Sequence, residues 1–277
     1  MSEIFRVASS DGTALYVESA GPSEASAPCI VFSCAYTTTH ENWRGQVELL
    51  VEAGWRVVLW DHRGHGLSEV PADEASYTME RVVDDLEAVI DFASPKAAVV
   101  LAGLSFGGLV SLHFALRSPA RVRALVLAGS GPGFKNPEAA AGWAKQTERT
   151  ASYLEERGLQ AFVDGKAGAT CIGRDPELPA ARAAAAAIAA QDPAGLAAFG
   201  RNVTGLAPSV IDELPSIEAR SFVVVGSEDK AFSRAAEVMA AKLPAAEHVV
   251  LGGAGHILNI EQPESFNTAL MNFLEGI

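Results

Sequence analysis

Val99-Val-Leu-Ala-Gly-Leu-Ser-Phe-Gly-Gly108 is the stretch from which the rest of the chain can be read. An apolar, β-branched run suited to a buried strand ends in Gly103-Leu104-Ser105-Phe106-Gly107, and a helical pattern follows directly. A serine between two glycines at a strand-to-helix junction is the signature of a turn so sharp that the serine backbone is strained and its hydroxyl stands above the sheet. Gly103 and Gly107 are needed because side chains there would collide across the turn. The motif is common by chance in ordinary loops; the strand before it and the helix after it are what give it meaning here.

Outward from this junction, strand-like and helical runs alternate, which points to an α/β chain with a mainly parallel sheet covered by helices. Ile4 to Ala8 and Ala14 to Glu18, divided by Ser10-Asp11-Gly12, predict an opening hairpin. Cys29 to Ser33 predicts a strand, and a helix from about Trp43 to Glu52 is closed by Gly54 as a left-handed cap. Arg56 to Trp60 predicts a buried strand, and Thr78 to Phe92 carries Val82, Leu86, Val89 and Ile90 at helical spacing. Phe106 to Arg117 reads as a helix stopped by Pro119, with a strand over Val122 to Leu127.

From about Phe134 to Leu214 no strand is expected; alanine dominates and Gly and Pro punctuate short helical stretches. Residues 134–214 are therefore expected to form a helical cap inserted into a core made of residues 1–133 and 215–277. Alternation resumes with a strand over Ser221 to Val225, a helix from Ser233 to Lys242, a strand over Glu247 to Leu251 and a closing helix after His256.

A serine hydroxyl is a poor nucleophile near neutral pH and needs a base within hydrogen-bond reach, itself oriented by a carboxylate. His256 follows Gly252-Gly-Ala-Gly255 just past the last strand, on the edge where the Ser105 turn also opens. His248 lies within a strand and His113 on the helix after the turn, so both are expected to serve packing or the surface. The strand over Ser221 to Val225 ends in Gly226-Ser-Glu-Asp229, which places Asp229 within reach of that edge; Glu228 is expected to face solvent. Ser130, past the preceding strand, stands where an alternative acid could arise and cannot fill that role.

The order Ser105, Asp229, His256 and the Ser105 turn resemble the α/β-hydrolase family, which includes carboxylesterases, lactonases, C–C bond hydrolases and cofactor-free haloperoxidases. The resemblance runs from about Ala14 to the C-terminus and is weakest in the insert. It implies an eight-stranded, mainly parallel sheet flanked by helices, with Ser105 as nucleophile, His256 as general base and then acid, and Asp229 as the orienting carboxylate. It also implies an oxyanion hole with one donor in the backbone N–H of Phe106. The second should come from the loop after Cys29 to Ser33, where many relatives carry His-Gly and this chain reads Ser33-Cys34-Ala35-Tyr36; by position the N–H of Ala35 is the candidate. Tyr36 could lend its hydroxyl to the hole or line the pocket. Asp61-x-Arg63-Gly64-x-Gly66-x-Ser68 resembles a family loop that is mostly structural. Asp61, His62 and His65 lack the further ligands of a metal centre, so no metal and no cofactor is expected.

The chain of 277 residues has 49% hydrophobic and 20% charged content, the profile of a soluble globular protein. Its net charge of −13 argues against nucleic acid or an anionic membrane as partner. The three cysteines, Cys29, Cys34 and Cys171, have no disulfide or metal spacing, and no basic region with an apolar core opens the chain; a reduced, cytoplasmic protein is expected. The substrate is expected to be a small, mostly apolar ester or lactone entering beneath the insert. Phe134, Trp143, Phe162, Ile172, Ile188, Leu196, Phe199 and Leu206 could line its path, although at least half should pack the insert onto the core. Rival readings are a C–C bond hydrolase or a perhydrolase with the same triad, and a silent ligand receptor on the same fold. Oligomeric state is not written in the sequence.

Overall fold

The computed structural model describes residues 2–24 and 26–277. Strands β1 (Glu3–Ala8) and β2 (Ala14–Ala20) form an antiparallel hairpin in register Ala8 to Ala14. Then come β3 (Cys29–Ser33), α1 (Arg44–Glu52), β4 (Arg56–Trp60), α2 (Met79–Ala93) and β5 (Val99–Leu104). They are followed by α3 (Phe106–Arg117) and β6 (Val122–Ala128). The sheet has eight strands in the order β1-β2-β4-β3-β5-β6 and then β7 (Arg220–Gly226) and β8 (Ala246–Leu251). Every pairing from β4 to β8 is parallel, while β2 meets both β1 and β4 antiparallel.

Strand alternation explains the layering, because successive side chains point to opposite faces. In β5, Val99 and Leu101 join one apolar cluster with Val82 and Leu86 of α2 and Val110 of α3. Val100, Ala102 and Leu104 join the other, with Leu50 of α1 and Phe266 and Leu270 near the C-terminus. The central parallel strands are thus buried on both faces, as their unbroken apolar runs require.

Between β6 and β7 the chain is helical: α4 (Pro137–Asp164), α5 (Pro179–Ala189) and α6 (Pro193–Phe199), the last running into a π-turn over Gly200–Thr204. Up to Gly158, α4 runs longer than the short helical stretches expected here, and it is broken at that glycine, whose φ of 78° is not helical. After β7 come α7 (Ser233–Lys242), β8, α8 (Leu258–Glu261) and α9 (Pro263–Glu275). Among the described residues, no helix is long and apolar enough to cross a membrane. All loops that concern the site leave the carboxyl ends of parallel strands, where open α/β sheets bind their ligands.

Candidate active site

Ser105 joins β5 to α3 with φ 52° and ψ −113°, a conformation that costs on the order of 1–3 kcal/mol. The flanking glycines make it sterically possible: a Cβ on Gly103 would stand 2.1 Å from the carbonyl carbon of Gly107, and one on Gly107 would stand 2.3 Å from Ser33 O. The turn is braced from β6 and beyond. Ser105 N–H donates to Ala128 O at 2.8 Å, and Ser130 Oγ donates to Ser105 O at 2.7 Å. Ser130 therefore supports the turn from the position where an alternative acid could have stood.

His256 and Asp229 arrive from the loops after β8 and β7. His256 Nδ1–H donates to Asp229 Oδ2 at 2.7 Å, so in the neutral tautomer this bond selects, Nε2 is the nitrogen with a lone pair. The imidazole lies flat against Phe232, ring centroids 4.7 Å apart, so its orientation is fixed from two sides. Asp229 is buried, whereas neighbouring Glu228 is exposed. His248 is exposed on β8, and His113 Nε2–H donates to Pro208 O at 3.2 Å.

Ser105, Asp229 and His256 line one cavity of about 700 Å³, together with Ala35, Tyr36 and Phe106. The helical segment supplies Phe134, Trp143 and Phe162 to its wall. Trp143 is held by Nε1–H donation to Thr204 O at 2.9 Å and packs 5.8 Å from Phe134. Ile172, Ile188, Leu196 and Phe199 are buried as packing instead, and Leu206 is exposed. The lining surface is mainly apolar, although Gln146, Thr147, Thr150, Lys166 and Thr204 also face the cavity.

The loop after β3 requires a correction. Ala35 N–H, the expected second oxyanion donor, already donates to Thr38 Oγ1 at 2.9 Å. Thr38 N–H in turn donates to Ala35 O at 3.1 Å, closing a tight turn over Ala35–Thr38. Thr37, inside that turn, has φ 71°, unusual for a β-branched residue. Neither Tyr36 N–H nor Phe106 N–H has an acceptor among the described residues, and both residues line the cavity beside Ser105. The Tyr36 hydroxyl does not point to the reacting region: it donates to Leu196 O at 3.0 Å. Sequence position alone suggested Ala35; only the Thr-Thr-Thr run at 37–39, whose hydroxyls can capture nearby amides, hinted at the shift.

The histidines and acid beneath this loop are bonded to its backbone and to one another's neighbours. Asp61 accepts from His40 N–H at 2.7 Å, His40 Nδ1–H at 2.8 Å and Leu67 N–H at 2.9 Å. His62 Nε2–H donates to Cys34 O at 3.0 Å, and His65 Nε2 accepts from Thr37 N–H at 3.3 Å. Burial keeps both rings neutral, pushing His62 down to about 4 and His65 to about 3. Burial also raises the Cys34 thiol well above its ordinary value, which makes it inert as a nucleophile.

Residues 28–263 match the family model for the α/β-hydrolase fold, and the chain belongs to that family. A putative 2-succinyl-6-hydroxy-2,4-cyclohexadiene-1-carboxylate synthase of Bacillus subtilis is 27% identical, covering 97% of each chain. The 3-oxoadipate enol-lactonase 1 of Acinetobacter baylyi is also 27% identical, over 100% of both chains. Among solved structures, a thermophilic esterase of Thermogutta terrifontis superposes with a TM-score of 0.84 at 26% identity, covering 99% of this chain and 98% of that one.

Proposed function

We propose that this protein is a serine hydrolase that cleaves a small, mostly apolar carboxylic ester or lactone through an acyl-enzyme on Ser105. The observation that carries the reading is the 2.7 Å bond from His256 Nδ1 to Asp229, with His256 and Ser105 facing one cavity. Ser105 Oγ adds to the substrate carbonyl carbon while its proton passes to His256 Nε2. The negative oxygen that forms is held by the N–H groups of Phe106 and Tyr36, the first at the positive end of α3. His256 then gives the proton to the departing alkoxide; in a lactone this oxygen stays tethered to the acyl group. Water, deprotonated by His256, releases the acid and restores Ser105.

Residues 134–214 are read as a cap on the core of residues 1–133 and 215–277, because their helices close the cavity above Ser105. The apolar wall supports an uncharged acyl group near Ser105. Similarity to an enol-lactonase and to an esterase supports lactone or ester as the bond cleaved.

Hydrolysis of p-nitrophenyl esters from acetate to decanoate, with Ser105→Ala beside the wild type, tests the reading. Activity peaking at short chains and lost in the variant is expected. Turnover of the same size in Ser105→Ala would overturn it. Absence of ester turnover, with Ser105 still captured by an organophosphonate, would redirect the search to lactones and C–C bonds; failure to react with either would favour a silent receptor.

A further inference from the structure

Thr37 sits in a left-handed conformation that normally favours glycine, and both of its backbone polar groups are taken up by side chains from distant parts of the chain. Its N–H donates to His65 Nε2 at 3.3 Å, in the loop after β4. Its carbonyl accepts from Gln191 Nε2–H at 2.8 Å, in the turn between α5 and α6. The other end of the same amide is also occupied, since Gln191 Oε1 accepts from Gly66 N–H at 2.7 Å. Gln191 is buried, so these two bonds have no water to replace them. His65 is fixed by Nδ1–H donation to Arg63 O at 3.2 Å, and this leaves Nε2 as an acceptor for Thr37 alone. The neighbouring Tyr36 docks on the same helical segment, with its ring stacked 6.2 Å from Phe199 at 14°.

We propose that Gln191 and His65 are positioning residues for the reaction: they clamp Thr37 in its left-handed turn and so aim the Tyr36 N–H at the substrate's developing oxyanion. The inference rests on the reading of Ser105 as nucleophile and deepens it. The inserted helices then supply a working part of the catalytic geometry, in addition to a wall of the cavity. Ordinary structural bonds would stabilise the fold equally for ground state and transition state. A clamp on the oxyanion donor instead acts where charge develops, and so should show in kcat more than in KM.

Gln191→Glu isolates the clamp, because it keeps an acceptor for Gly66 N–H but turns a carboxylate oxygen toward Thr37 O. For the best p-nitrophenyl ester, kcat is expected to fall roughly tenfold to a hundredfold, the scale of one misplaced oxyanion donor, with KM changed by no more than about threefold. An arylboronic acid, whose adduct on Ser105 places an anionic oxygen in the hole, should lose affinity by a similar factor. His65→Phe, which keeps a ring beside Phe199 but removes the acceptor, should give the same split. In a Thr37→Gly background, where the turn needs no clamp, Gln191→Glu should cost several-fold less than in the wild type. The proposal is overturned if the folded Gln191→Glu variant, with an unchanged circular dichroism spectrum, keeps kcat and boronate affinity, or if glycine at 37 brings no relief. A wild type that neither hydrolyses esters nor binds the boronate would instead sink the serine-hydrolase reading, and the clamp with it.

Discussion

Asp229 contributes one hydrogen bond to the site, yet the proposed chemistry depends on it. An Asn at 229 can present its amide N–H to His256 Nδ1 and so favour the tautomer with the proton on Nε2, where none can be accepted. Asp229→Asn is expected to lower kcat by about 10³- to 10⁴-fold at neutral pH with little change in thermal midpoint, and stopped-flow ester hydrolysis checks it. Unchanged activity would remove Asp229 from its role. At this scale the proposed triad could be picked out of the sequence because Ser105, Asp229 and His256 each follow a strand end, and the structure brings all three to one cavity. The state of the Ala35 N–H was not legible. Which of Ala35 and Tyr36 keeps a free N–H depends on a hydroxyl three residues on from Ala35, at Thr38, and the Thr-Thr-Thr run at 37–39 says that a hydroxyl is near but not which amide it captures. Gln191 was invisible for a related reason: its partners Thr37 and Gly66 lie far away in sequence, and a lone glutamine in an alanine-rich stretch reads as surface.

Among the elements, the Arg63 side chain ties three of them at once. It is fully buried, grips Asp85 of α2 with Nε at 2.7 Å and Nη2 at 2.6 Å, and reaches Asp11 of the opening hairpin turn at 2.9 Å. A further bond from Nη1 to Ser76 O, at 2.7 Å, fixes the segment before α2. Removing one partner of such a pair leaves a buried charge unmatched, so Asp85→Ala should cost about 3–5 kcal/mol in urea unfolding. The double replacement Arg63→Met with Asp85→Leu should cost much less than the two single changes added together; additive losses would contradict this account. Element boundaries were most legible where caps and breakers are sharp. The helix over Phe106–Arg117 ends just before Pro119, and Thr78 caps α2 by accepting from Arg81 N–H at 3.2 Å. They were least legible in α4, where alanine favours helix throughout and Gly158 interrupts it inside one long span.

For the molecule as a whole, buried histidines make stability depend on pH in opposite senses. Burial would lower His40, but its bonds to Asp61 and Glu41 win and raise it from 6.5 to about 9. The folded state therefore binds an extra proton between those values, and this stabilisation is lost as pH rises through about 9. His62 and His65 are held neutral, at about 4 and about 3, so their contribution is present above 6.5 and is lost as pH falls toward those values. Urea midpoints measured near pH 5, 6.5 and 9 should be highest at the middle value. A midpoint at pH 9 equal to that at 6.5 would show that the His40–Asp61 pair adds nothing to the fold. The count of eight strands was legible at this scale only through resemblance, and their order was not legible, since alternation of strands and helices predicts a parallel sheet but not which strands are neighbours.

The placement of the site along the chain has a consequence for how the protein is made. Ser105 follows β5 in the middle of the sheet, whereas Asp229 and His256 follow β7 and β8 at its far edge, after the inserted helices. During synthesis from the N-terminus, the strained serine leaves the ribosome long before His256 has been translated. If the proposed chemistry holds, a growing chain carries an idle hydroxyl until the last strand has added to the sheet. Truncation anywhere upstream of the final loop is then expected to give a silent polypeptide, and the appearance of ester hydrolysis would time the completion of folding.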